Sequence, residues 1–334
     1  MNITVFSATE EVEKYFRAEF ANDNLLFFAD KMADENLAKC AETEILSLTV
    51  ESELSKERIA FLPKLKLVAV RSTGYDNIDQ QALREKGITL VSVPGYGAKP
   101  VAEFTFALML ALMRRVTEAH DEIRKGVVTN AAHFQGMNLY GKTLGVLGTG
   151  KIGQSVIHIA KGFHMNVIAF DVFPNQDFAK SEGFDYRSLN EVIEQSDIIT
   201  LHVPYNKDTH HLLNKERFEE MKRGVYIINT ARGAIIDTEA LLWALENKIV
   251  AGAGLDVLEG EHELADEFDL ISKDAPIDQL KIVIEDHVLI GLPNVIVTPH
   301  IAFNSREAVQ EIIDTTIQNI RAFLSGNLQN VVKQ

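Results

Sequence analysis

Residues 143–171 constrain the fold of this chain more than any other stretch, reading TLGVLGTGKIGQSVIHIAKGFHMNVIAFD. Leu144 to Leu147 form an apolar, strand-like run, and Gly148, Gly150 and Gly153 follow at G-x-G-x-x-G spacing where a strand should give way to a helix. The first glycine permits a tight turn, the second lets the backbone approach a pyrophosphate, and the third lets helix and strand pack closely. A helix over residues 152–164 would then present free N–H groups and a positive dipole end to an anion. The next strand, 167–170, ends at Asp171, whose carboxylate can accept both ribose hydroxyls and would repel a 2'-phosphate. No arginine follows in Val172-Phe173-Pro174, so the expected cofactor is NAD rather than NADP.

A chain of 334 residues exceeds one typical domain, so two are expected. Its net charge of -15 disfavours nucleic acid and anionic membranes, whose phosphates would repel it. Cys40 is the only cysteine, so no internal disulfide can form and a reducing cytoplasm is the expected setting. Residues 1–6 read directly as a strand, so no secretory leader is expected. The longest apolar run, 101–113, contains Glu103 and is too short for a bilayer.

From the N-terminus, strand-like runs at 3–6, 25–28, 45–48, 65–70 and 88–93 alternate with helical patterns. After Asp171 the alternation resumes with strands at 198–202, 225–230, 251–257 and 295–298. Such alternation implies an α/β chain with doubly wound parallel sheets, ligands lying at the C-terminal strand ends. Residues 101–115 are apolar on almost every side, which predicts a buried helix and, on a sharper reading, a subunit interface in a homodimer. Ser188 and Glu191 have capping-box spacing, and Asn304 with Glu307 predicts the start of the last helix. Periodicity leaves the acidic stretch 261–293 undecided between helix and loop.

Arg232, Glu261 and His300 each follow a strand in the second half. Reducing a 2-oxo acid needs a cation for the carboxylate and carbonyl oxygen, a proton donor poised near neutral pH, and a group that tunes the donor; these are the matching residue types. Singly, each also fits a bland role: a helix-end charge, part of an acidic face, one histidine among ten. His210 and His211 read as solvated loop residues, and no metal is expected.

Longer stretches carry a resemblance: RSTGYDNID at 71–79, VPGY at 93–96 with VAE at 101–103, LYGKT at 139–143, LHVP at 201–204, INTARG at 228–233, GLDV at 254–257 and TPHIAF at 298–303. Over essentially its full length the chain resembles the NAD-dependent D-2-hydroxyacid dehydrogenases, most closely the fermentative D-lactate branch. The resemblance implies a Rossmann-type NAD domain, 100–299, inserted into a flavodoxin-like substrate domain, 1–99 and 300–334. It implies that Arg232 binds the substrate carboxylate and carbonyl, that His300 donates the proton and that Glu261 pairs with it. It further implies that Thr73 and Gly74 through their backbone N–H groups, and Tyr96 through its hydroxyl, hold the carboxylate, with Phe303 near the substrate side chain. Around NAD it places Gly148, Gly150, Lys151, Ile152, Gly153, Asp171, Val203, Pro204, Thr209, Thr230, Ala231, Arg232 and Asp256, the last at the nicotinamide carboxamide. The substrate implied is pyruvate or a close 2-oxo acid. A hydroxyisocaproate or glyoxylate-type reductase uses the same residues, and an NADH-sensing corepressor-like protein is the alternative of another class.

Overall fold

Strands buried on both faces need a separate core on each side of the sheet, and the two halves of this chain solve that requirement twice. The computed structural model describes residues 1–127, 131–261 and 276–332. It divides into one unit of Met1–Tyr96 with Asn304–Gln334 and a second of Gly97–Phe303, so the second is inserted in sequence within the first.

In the first unit β1 (Asn2–Val5), β2 (Asn24–Phe27), β3 (Ile45–Leu48), β4 (Leu67–Val70) and β5 (Thr89–Val91) form a parallel sheet in the order β2-β1-β3-β4-β5. That is the flavodoxin-like order. The period of two splits each apolar run between two cores: Ile45 and Leu67 join Phe16, Ile313 and Ile317 on one face, while Leu46 and Val68 join Leu54, Ile59 and Leu83 on the other. Each fully buried side chain of this kind contributes roughly 1.5–3 kcal/mol. The last helix, Arg306–Leu324, therefore belongs to the N-terminal unit, its stripe of Ile312, Ile313, Ile317 and Ile320 buried. Its N-cap is Ser305 rather than the expected Asn304: the Ser305 hydroxyl accepts from the Ala308 N–H at 3.2 Å, so the helix starts one residue later.

The second unit carries β6 (Thr143–Leu147), β7 (Asn166–Phe170), β8 (Asp185–Tyr186), β9 (Ile198–Leu201), β10 (Val225–Asn229), β11 (Val250–Leu255) and β12 (Val295–Val297). They pair in parallel as β12-β11-β10-β9-β6-β7-β8, with the order reversing beside β6. Two residues are too short for a periodic signal, which is why β8 was not anticipated. The apolar helix spans Ala98–Met113, and one side of it is covered within its own unit: Leu108 and Leu112 lie against β11 where Gly254 and Gly252 leave room, and Phe106 stacks on Phe163 with ring centroids 5.3 Å apart. The following helix, Val116–Arg124, has no buried residue. Ser188 forms the expected capping box with Glu191. Of the undecided acidic stretch, Ile277–Gly291 is helical, and 262–275 lie outside the described residues. Among the described residues, no helix is long and apolar enough to cross a membrane.

Candidate active site

The nucleotide loop occupies the turn from β6 to the helix Lys151–Gly162. Gly148 has φ +92, and a Cβ there would lie 2.6 Å from the His202 carbonyl oxygen. A Cβ on Gly153 would lie 2.1 Å from the Gly148 carbonyl oxygen, so this glycine sets the close approach of helix to loop. At Gly150, the N-cap, a Cβ would meet nothing within 4 Å and no side chain caps the helix. Open space before uncapped N–H groups is what a pyrophosphate needs, so these residues fit a dinucleotide. Lys151 and Ile152 open the helix.

Asp171 follows β7. Burial pushes its carboxyl up, but N–H groups of Phe173 and Thr149 and the Thr149 hydroxyl outweigh that and hold it below the usual carboxylate value. On the other side of β6, Thr209 accepts from the Asn206 N–H at 2.8 Å and donates to the Pro204 carbonyl at 2.7 Å, tying up the loop after Val203. His202, half-buried, shares a hydrogen bond with Thr200 through Nε2 at 2.9 Å, and burial of its ring pushes its pKa down to about 3.

Arg232, Glu261 and His300 come from the C-terminal ends of the adjacent strands β10, β11 and β12. Buried Asn229 shapes the first loop, donating to the Arg232 carbonyl at 2.9 Å and accepting from the Ala231 N–H at 3.0 Å. The next two loops lock together through Gly233, where a Cβ would sit 2.0 Å from the Leu258 carbonyl. Glu259 accepts from the Thr238 N–H and hydroxyl and pairs with His211 at 2.5 Å, and the Gly260 N–H donates to Asp286 at 2.9 Å. Glu261 thus leaves a loop held on both sides. Its Oε1 lies 2.6 Å from His300 Nδ1, which leaves Nε2 as the nitrogen able to carry a proton to a ligand. His300 itself has φ +53, a conformation that costs energy in any residue but glycine. Asp256 holds it there: its carbonyl accepts from the His300 N–H at 2.8 Å, and its buried carboxylate accepts from Thr298, Ile301 and Ala302.

Residues 106–302 match the family described as D-isomer specific 2-hydroxyacid dehydrogenase, NAD binding domain. The chain is 36% identical to the D-lactate dehydrogenase of Escherichia coli, over 98% of both chains. It is 34% identical to the glyoxylate reductase of Korarchaeum cryptofilum, over 97% of this chain and 92% of the relative. The D-lactate dehydrogenase of Aquifex aeolicus, solved with NAD and lactic acid, superposes with a TM-score of 0.87 at 34% identity, covering 98% of this chain and 96% of that one. The chain belongs to the D-2-hydroxyacid dehydrogenase family. It is an NAD-dependent oxidoreductase acting on D-2-hydroxy acids.

In this dehydrogenase Thr230 shares a hydrogen bond with Thr105 at 3.1 Å beside Ala231. Phe303 ends the second unit, and Tyr96 ends the N-terminal segment of the first. In that first unit the Thr73 hydroxyl donates to the Val93 carbonyl at 2.8 Å and Ser72 donates to the Gly74 carbonyl at 2.5 Å, shaping the loop after β4. The buried Arg71 guanidinium donates to the Phe6 and Ser7 carbonyls, and burial lowers its pKa to about 10. Reading the sequence missed the bonds that join Thr149 to Asp171 and Tyr186, and took His211 for a solvated residue. It is half-buried because Glu259 draws it inward, a pairing across 48 positions that local polarity does not reveal. Among the described residues no cluster of His, Cys, Asp or Glu is placed to hold a metal ion.

Proposed function

We propose that this dehydrogenase reduces pyruvate to D-lactate, with His300 as proton donor, Glu261 as its partner and Arg232 as the cation for the substrate carboxylate and carbonyl. The observation that carries the catalytic roles is the 2.6 Å bond between His300 Nδ1 and Glu261 Oε1, and the choice of pyruvate is supported by the 36% identity to the D-lactate dehydrogenase of Escherichia coli. NADH, when bound, supplies the hydride that reaches the carbonyl carbon. His300, protonated on both nitrogens and steadied by the Glu261 carboxylate, gives its Nε2 proton to the carbonyl oxygen, so the C=O bond becomes C–OH. Arg232 offers a planar fork that matches a carboxylate bidentately. Thr73, Gly74, Tyr96 and Phe303 are proposed as further substrate contacts, and Asp171 with the glycine loop as the NAD contacts. A homodimer through residues 101–115 is supported by the face of that helix left open, where Glu103 and Ala107 are exposed and Phe104 and Leu110 only half-buried. A single cysteine, buried, supports a cytoplasmic setting.

The test is initial rates with NADH and pyruvate, glyoxylate or 2-oxoisocaproate, scoring the chirality of the product. Pyruvate should give the highest kcat/KM, and D-lactate should form. Preference for glyoxylate or 2-oxoisocaproate would reassign the substrate. NADH binding without turnover of any 2-oxo acid would favour the sensing role.

A further inference from the structure

The residue between the first two glycines of the nucleotide loop carries a hydroxyl that the motif does not require. Thr149 is 5% exposed. Its N–H and its Oγ1 lie 2.6 and 2.8 Å from the same oxygen of Asp171, Oδ2. Its Oγ1 also lies 2.8 Å from the Tyr186 hydroxyl, which in turn lies 3.2 Å from the Asn175 N–H. The proton positions in this chain are determined by chemistry alone. An ionised carboxylate only accepts, so the Thr149 hydroxyl donates to Asp171; having one proton, its oxygen then accepts from Tyr186, whose own oxygen accepts from Asn175. The other carboxylate oxygen, Oδ1, accepts from the Phe173 N–H at 2.8 Å.

A carboxylate has about four acceptor positions, and three are filled here. Both positions on Oδ2 are taken, and one remains on Oδ1. The open position on Oδ1 is where a ribose hydroxyl would donate. We propose that Tyr186 and Thr149 form a hydroxyl relay that fixes the Asp171 carboxylate for a ribose hydroxyl of NAD, and that they act as positioning residues for the choice of NAD over NADP. The relay holds the carboxylate ionised against its partial burial and stops it rotating, so the charge facing the 2' position is fixed in place. It also explains the two-residue strand β8: Asp185–Tyr186 pairs with β7 through Ile168 and Ala169, which brings the tyrosine alongside the end of that strand. The proposal rests on the cofactor site and is independent of which 2-oxo acid is reduced.

The experiment is calorimetric titration of NADH and of NADPH into the full-length protein without substrate, for the native chain, Thr149→Val, Thr149→Ser and Tyr186→Phe. Losing one hydrogen bond to a charged group should weaken NADH about tenfold in Thr149→Val. NADPH, repelled by the carboxylate with or without the relay, should change far less, so the ratio of the two dissociation constants narrows by about threefold or more. Tyr186→Phe should act in the same direction and more weakly, and Thr149→Ser, which keeps the hydroxyl, should restore the native ratio. Tyr186→Phe deletes a single oxygen and keeps the test open if the valine variant does not fold. A relay that merely braces the fold would weaken both cofactors by the same factor; an unchanged ratio in Thr149→Val and Tyr186→Phe overturns the proposal.

Discussion

His202 should make this protein sensitive to acid well above the range in which carboxylates titrate. Its pKa is pushed from 6.5 down to about 3 by burial, with one ring nitrogen bonded to Thr200 and Nδ1 buried without a partner. In the unfolded chain the imidazole takes up a proton as pH falls through 6.5, whereas the folded chain refuses it until about 3. The contribution is therefore neutral above 6.5 and increasingly destabilising from there down to about 3. With those two values, folding should lose about 2 kcal/mol from this group between about pH 8 and about pH 5. The one tryptophan, Trp243, lies in the helix Thr238–Glu246, so its fluorescence during urea unfolding reports on the unit that contains His202. His202→Gln offers an amide in place of Nε2 and does not titrate. Its constant packing penalty cancels when each protein is compared with itself across pH, so the native chain should lose about 2 kcal/mol more than the variant over that interval. Parallel stability curves for the two would refute the reasoning and place His202 in contact with water or a hydrogen-bond acceptor.

Two glycines in the nucleotide loop should fail differently. Gly148→Ala forces a Cβ to within 2.6 Å of the His202 carbonyl at φ +92, so both thermal stability and NADH affinity should fall. Gly150→Ala meets no protein atom within 4 Å, so the melting temperature should hold while NADH affinity falls about tenfold as the methyl obstructs the pyrophosphate. Equal losses of stability in both variants would contradict this. Ser188→Ala removes the hydroxyl half of the capping box, the bond Ser188 Oγ accepts from the Glu191 N–H at 3.3 Å, and should cost about 1 kcal/mol in the Trp243 unfolding curve; no change would show that the helix start does not depend on the box.

The parts of this protein that could be read from its sequence are those whose physics is local or periodic. Ile45–Leu48 and Leu67–Val70 read as strands because their side chains fill two cores at once, and the apolar helix stood out for the same reason. Gly148 and Gly153 were legible because backbone contacts fix their spacing. Arg232, Glu261 and His300 could be named by residue type and by their places after strands, and the resemblance implied that the last two pair, yet the 2.6 Å geometry of that bond across 39 positions needed the fold. Long-range side-chain bonds leave no periodic trace, which is why Thr149 with Tyr186, His211 with Glu259 and Gly260 with Asp286 were missed. The N-cap of the last helix shows a finer limit, since Asn304 and Ser305 are both competent caps and only the backbone geometry chooses between them.

The central claim is that His300, steadied by Glu261, delivers the proton that completes reduction. Its most direct measurement is single-turnover reduction of pyruvate with NADH by His300→Gln, with the NADH dissociation constant measured alongside. The rate of NADH oxidation should fall by about 10² to 10⁴, the usual contribution of general acid catalysis, while NADH binds within about twofold of the native value. A variant that oxidises NADH at close to the native rate, with normal NADH binding, would contradict the account and require the proton to come from elsewhere.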